Sequence, residues 1–64
     1  MLVEIITTGS ELLLGEIVNE DVRYLSQKLN EMGYSVVYHT TVGDNETRMR
    51  QALEIALKRV DIVI

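Results

Sequence analysis

The sequence has 64 residues, 47% hydrophobic and 25% charged, with no cysteine, a balance that suits a globular core and excludes a disulfide-stapled scaffold. Six Lys and Arg against ten Asp and Glu leave a formal net charge of −4, which argues against an electrostatic grip on nucleic acid or on an anionic membrane. The start Met1-Leu2-Val3-Glu4 carries no basic segment and no long apolar run, so neither a signal peptide nor a membrane span is expected, and the cytoplasm is the default compartment.

The first element is a strand over Leu2 to Thr8. Its β-branched, nearly continuous apolar run, with Glu4 as the one polar interruption, suits a parallel strand covered on both faces. Gly9 ends it. A loop from Ser10 to Val18 follows, and its Leu12-Leu13-Leu14 triple implies a loop packed down against the core. Val22, Leu25, Leu29 and Met32 then recur at steps of three, four and three, which predicts a helix from about Glu20 to Met32 with one apolar stripe. Asn19 suits its N-cap and Gly33 a left-handed C-cap.

Tyr34 to Val42, rich in Val, Thr and Tyr, predicts a second strand, and Gly43-Asp44-Asn45 the turn after it. In the second helix Met49, Ala52, Leu53, Ala56, Leu57 and Val60 form the apolar face. Asp44 or Asn45 would cap it, and Glu54 with Lys58 would form a favourable i, i+4 pair. Asp61-Ile62-Val63-Ile64 opens a third strand. The order βαβαβ with helix-length crossovers predicts an open parallel α/β sheet with right-handed connections. A chain this short sits below the usual domain size. Residues 1–64 are therefore expected to be the N-terminal part of a single domain that continues beyond strand three.

In such sheets ligands bind beyond the carboxyl ends of the strands. Two candidate loops stand there, Gly9 to Asn19 and Gly43-Asp44-Asn45, each delivering the chain to a helix N-terminus, where free N–H groups favour anions. In the commonest winding, strand one lies between strands two and three. Gly9-Ser10-Glu11-Leu12-Leu13-Leu14-Gly15 is not a Walker loop, since Glu16 stands where the phosphate lysine belongs, and it lacks the dinucleotide G-x-G-x-x-G spacing. On spacing alone it reads first as a tight turn with core-filling leucines and second as a ligand loop. Glu11, Glu16, Glu20 and Asp21 would repel a phosphate unless a divalent cation bridged them; the other reading is a solvated acidic face at a helix start. His39 reads as a structural, half-exposed histidine and not as a catalyst.

The stretch Thr8-Gly9-Ser10-Glu11-Leu12-Leu13-Leu14-Gly15-Glu16-Ile17-Val18-Asn19, together with Val42-Gly43-Asp44-Asn45-Glu46, resembles the N-terminal domain of the competence-damage-inducible protein CinA family, over essentially the whole chain. The resemblance implies a molybdopterin-binding-like fold with a three-layer open parallel sheet, of which these residues supply the βαβαβ portion. It implies metal-dependent hydrolysis of the pyrophosphate of an ADP-ribose-type nucleotide by the longer protein, with a divalent metal ion as cofactor and a homo-oligomeric assembly. By position, Gly9, Ser10, Glu11, Gly15, Asn19, Gly43, Asp44 and Asn45 would bind substrate, and Glu11 and Asp21 would hold metal. The sequence departs from the family pattern at Glu20 and Asp21, where the family often carries threonine and asparagine. The alternatives are a non-catalytic module holding a molybdopterin or nucleotide, and a half-domain whose role in this chain is structural.

Overall fold

A computed structural model describes residues 1–10, 14–15 and 20–64. The described elements run β1 (Leu2–Thr8), α1 (Glu20–Glu31), β2 (Ser35–Val42), α2 (Glu46–Leu57) and β3 (Ile62–Val63). All pairing is parallel and the strand order is β2-β1-β3, so β1 is central, as the commonest winding predicts. Each helix is too long to be a turn and too amphipathic to stand free; right-handed crossovers in opposite directions from β1 place the two helices on opposite faces of the sheet.

The alternation along β1 shows which face each helix covers. Ile5 to Thr8 border a groove with Asp21, Val22 and Leu25 of α1, and of these only Ile6 and Thr8 also border one with Met49 and Leu53 of α2. The register carries one irregularity: Val3 pairs with Val36 but Glu4 pairs with Tyr38, so Val37 is an extra residue on β2. Such a bulge twists an edge strand and re-aims its side chains. From Glu4 onward the pairing is continuous to Thr8 opposite Val42.

Among the described residues Val3, Ile5, Val42 and Ala56 form the buried apolar core. Alongside them is a fully buried charge: Glu4 has no exposed surface, and Arg59 donates to its two oxygens from Nε and Nη2, both at 2.8 Å. Thr40 donates to the same carboxylate at 2.7 Å. A buried carboxylate is tolerated only when paired and hydrogen-bonded, and this one links β1, β2 and the segment between α2 and β3. The Arg59 guanidinium in turn lies 3.7 Å from the centre of the Tyr38 ring, a cation–π stack that fixes its plane.

Local chemistry sets the ends of the helices. After α1, Tyr34 N–H donates to the Leu29 carbonyl and Gly33 N–H to that of Asn30, with Gly33 at φ 92°, which is the Schellman arrangement expected of a glycine at that place. Met32, expected in the apolar stripe of α1, falls beyond the helix and is 70% exposed. Asn45 caps α2: its Oδ1 accepts from Arg48 N–H at 2.9 Å with an extended backbone. Glu54 and Lys58 do not join the ion pairs seen among the described residues. No described helix is long and apolar enough to cross a membrane.

Much of the apolar face of α2 stays open. Only Ala56 is buried, while Leu53 and Leu57 are exposed. The physical reason is the sheet beneath them: β3 contributes two paired residues, so the outer row of the helix has little to press against.

Candidate functional site

The β-strand run of β1 ends because Gly9 adopts φ 144°, a left-handed backbone region that side-chain-bearing residues avoid. Gly9 is buried, and its N–H donates to the Val42 carbonyl at 3.0 Å. This single bond sets the loop after β1 directly beside the turn after β2. Gly43, the residue after Val42, is buried too, while Asp44 and Asn45 are exposed. Thus Gly9, Ser10, Gly43, Asp44 and Asn45 are brought together at the carboxyl end of the sheet, beside the N-terminus of α2. Glu11 and Asn19 lie outside the described residues.

Gly15 is described and sits in a turn at φ 76° with open space where a Cβ would be. Its conformation favours glycine, but no nearby group explains it by close approach. Leu14 is 70% exposed, so the expectation of a loop packed down by its leucines does not hold at the one leucine of the triple that is described. Its N–H donates to the Ser10 carbonyl at 3.0 Å.

The site's electrostatics are mixed. The dipole of α2 brings partial positive charge to the Asn45 end, but Asn45 itself takes up the Arg48 N–H, and Glu46 adds a carboxylate that pairs with Arg50 at 3.1 Å. Asp21, in the first turn of α1, borders the groove over Thr7 and Thr8 on the other face. Among the described residues no group of three or more His, Cys, Asp or Glu converges to hold a metal ion. Asp21 supplies one carboxylate, which is short of the oxygen set a divalent ion takes.

Below the rim, on the α1 face, the Thr7 and Thr41 hydroxyls lie 3.1 Å apart and the His39 Nε2 stands 3.2 Å from Thr7. His39 is exposed and satisfied by these hydroxyls, in keeping with a structural histidine. Sequence reasoning missed the Glu4, Thr40 and Arg59 network. The signal available was a lone carboxylate inside a β-branched run, which in a strand covered on both faces demands a cation.

Comparison with known proteins fits this geometry. The profile of the family described as "Probable molybdopterin binding domain" matches residues 4–64. A CinA-like protein of Dictyoglomus thermophilum is 56% identical over 61 residues, covering 95% of this chain and 15% of that protein. A protein of Caldicellulosiruptor saccharolyticus named for competence-damage induction is 55% identical over 64 residues, covering the whole chain and 16% of that protein. The chain thus spans about one sixth of the length of these curated relatives. The crystal structure of CinA from Thermoplasma acidophilum, a protein described as of unknown function, superposes with a TM-score of 0.93 at 30% identity, covering 98% of this chain and 38% of that one. By sequence, by strand order and by the paired glycine loops at the carboxyl edge, this chain belongs to the probable molybdopterin binding domain family, in its CinA-like branch.

Proposed function

We propose that the crevice beyond the carboxyl ends of β1 and β2 binds a small phosphate-bearing molecule, and that in the longer CinA-like protein this ligand is an ADP-ribose-type nucleotide whose pyrophosphate is hydrolysed. The observation that carries the reading is the Gly9 N–H to Val42 carbonyl bond. It sets two glycine turns side by side at the edge where open α/β sheets take ligands, and a glycine backbone lets phosphate oxygens approach closely. Ser10 would offer a hydroxyl, Gly43, Asp44 and Asn45 the neighbouring rim, and Gly15, Glu11 and Asn19 the remainder of the first loop.

Hydrolysis adds water at one phosphorus and breaks its bond to the bridging oxygen. A divalent ion would offset the phosphate charge, and Glu11 and Asp21 are the proposed ligands. The described residues do not complete a set for it, so no step is assigned to the ion. A homo-oligomer in the cytoplasm belongs to the same proposal.

The family's description favours a second reading, a module that holds a molybdopterin without turning it over; a shared fold does not decide between them. Titration calorimetry with ADP-ribose and with molybdopterin, paired with chromatographic product analysis with and without magnesium or manganese, separates the two. Metal-dependent cleavage by the longer protein, abolished in Glu11→Ala, supports the hydrolase. Tight molybdopterin binding with no cleavage overturns it.

A further inference from the structure

A separate groove of about 310 Å³ runs between α2 and the β2 side of the sheet, lined by Glu4, Thr40, Arg48, Gln51, Ala52 and Arg59, among others. Arg48, Gln51 and Ala52 fall on one face of α2 at i, i+3 and i+4, and Arg59 joins them in the groove from the segment after the helix. Ala52 is the small residue of that face, and the space over its methyl group is what a longer side chain would fill.

The charges in this groove are unevenly matched. Arg23, Lys28, Arg50 and Arg59 each have a carboxylate partner. Arg48 in the groove, like Lys58 outside it, has none among the described residues, in a chain whose net charge is −4. The carboxylate that shares its groove, Glu4, is taken up by Arg59 and Thr40 and makes no ion pair with Arg48. A guanidinium carries five N–H donors, and Arg59 spends one at Nε and one at Nη2 on Glu4, so its other donors are not used on that carboxylate. Gln51 adds an amide one turn from Arg48.

We infer that this groove is an anion subsite, distinct from the carboxyl-edge crevice, that takes a phosphoryl group through Arg48 and Gln51. A planar guanidinium fork matches the spacing of phosphate oxygens, and an amide one helical turn away meets a third oxygen. The inference does not depend on the function proposed for the crevice, since it rests on other residues.

The test is a two-dimensional amide NMR titration of the full chain with inorganic phosphate at fixed ionic strength, with AMP as a parallel arm that distinguishes the free anion from an esterified one. In either arm, shifts concentrated on the Gln51 side-chain amide, Thr40 and Ala52 support the subsite. Arg48→Gln should then weaken the apparent Kd by about tenfold or more, the scale of a charge-assisted hydrogen bond. Ala52→Leu, which leaves every charge in place, should abolish the response by filling the space. Shifts confined to Gly9 and Gly43 to Asn45 would overturn the subsite while supporting the crevice, and an equal Kd in Arg48→Gln would overturn it outright.

Discussion

Arg59 reaches back across 55 positions of chain to grip Glu4 with two hydrogen bonds of 2.8 Å, and the two ends of that grip are unequally placed. Glu4 has no exposed surface, whereas about a third of the Arg59 side chain meets solvent. Losing Glu4 therefore frees a guanidinium that can rehydrate. Losing Arg59 strands a carboxylate that cannot, with Thr40 as its one remaining side-chain donor. Arg59→Met should lower the urea midpoint clearly more than Glu4→Gln, and the Glu4→Leu/Arg59→Met pair should recover much of the loss, because isosteric apolar replacements of buried pairs are often neutral or better. Equal losses in the two single variants would sink the asymmetry.

The same contact sets the acid response. The hydrogen bonds from Arg59 hold the Glu4 carboxyl below its ordinary 4.5, against burial, which raises it, and with help from Thr40. A lowered folded-state pKa means the unfolded chain binds more protons near that pH, so this stability is present above 4.5 and is lost as pH falls through the folded value. In Arg59→Met burial becomes the leading cause and the pKa moves up. The sign then reverses: the variant should gain stability as pH drops through the raised value. Urea midpoints of both proteins across roughly pH 3 to 7 would show slopes of opposite sign in the acid range.

Asn45 caps α2 and is also proposed as a rim residue of the crevice. Asn45→Ala removes the acceptor of the Arg48 N–H and should cost about 1 kcal/mol by chemical denaturation. Asn45→Asp keeps an acceptor and should hold stability near that of the parent, while placing a negative charge where phosphate is proposed to sit. If Asn45→Asp binds ADP-ribose as well as the parent does, Asn45 has no part in the rim.

How far this was legible in the sequence depends on the range of the interaction. β1 reads correctly from Leu2 to Thr8 because β-branched residues crowd it, and α2 begins where Asn45 can cap it; both signals are local. The strand order β2-β1-β3 is that of the commonest winding of such sheets. Glu4 looked like an interruption because its partner lies near the other end of the chain, and no local pattern links them. The apolar stripe of α2 was read correctly as a stripe, yet Leu53 and Leu57 stay exposed because periodicity reports which residues want cover and not how much sheet there is to provide it. At the site, the motif brought Gly9 and Gly43 together, whereas the extra residue at Val37, which sets the register feeding Thr40 to Glu4, left no mark in composition or spacing.

Gly9 carries the strain of the junction. At φ 144° an added Cβ is unfavourable whatever space surrounds it, and relaxing the backbone would pull the N–H away from the Val42 carbonyl that holds the two turns together. Gly9→Ala should destabilise by about 1 to 3 kcal/mol. It should also weaken ligand binding, and amide exchange should quicken at Gly43 and Asp44 although neither residue is altered. Unchanged exchange at those two amides would show that the Gly9 bond does not organise the rim.

Buried and exposed apolar residues of similar size should respond differently to truncation. Ile5 is 3% exposed, at the centre of β1 between the two neighbouring strands, and Leu57 is 61% exposed on the outer row of α2. A residue enclosed on all sides leaves a cavity when truncated, whereas one facing water loses little area and lets solvent fill the gap. Ile5→Ala should cost roughly 2 to 5 kcal/mol, and Leu57→Ala within about 0.5 kcal/mol. With four apolar side chains buried among the described residues, the first figure is a large share of typical small-domain stability, so Ile5→Ala should populate the unfolded state measurably without denaturant. Circular dichroism at 25 °C in buffer alone would register that loss, and a fully helical Ile5→Ala spectrum there would mean that the core draws on contacts other than those around β1.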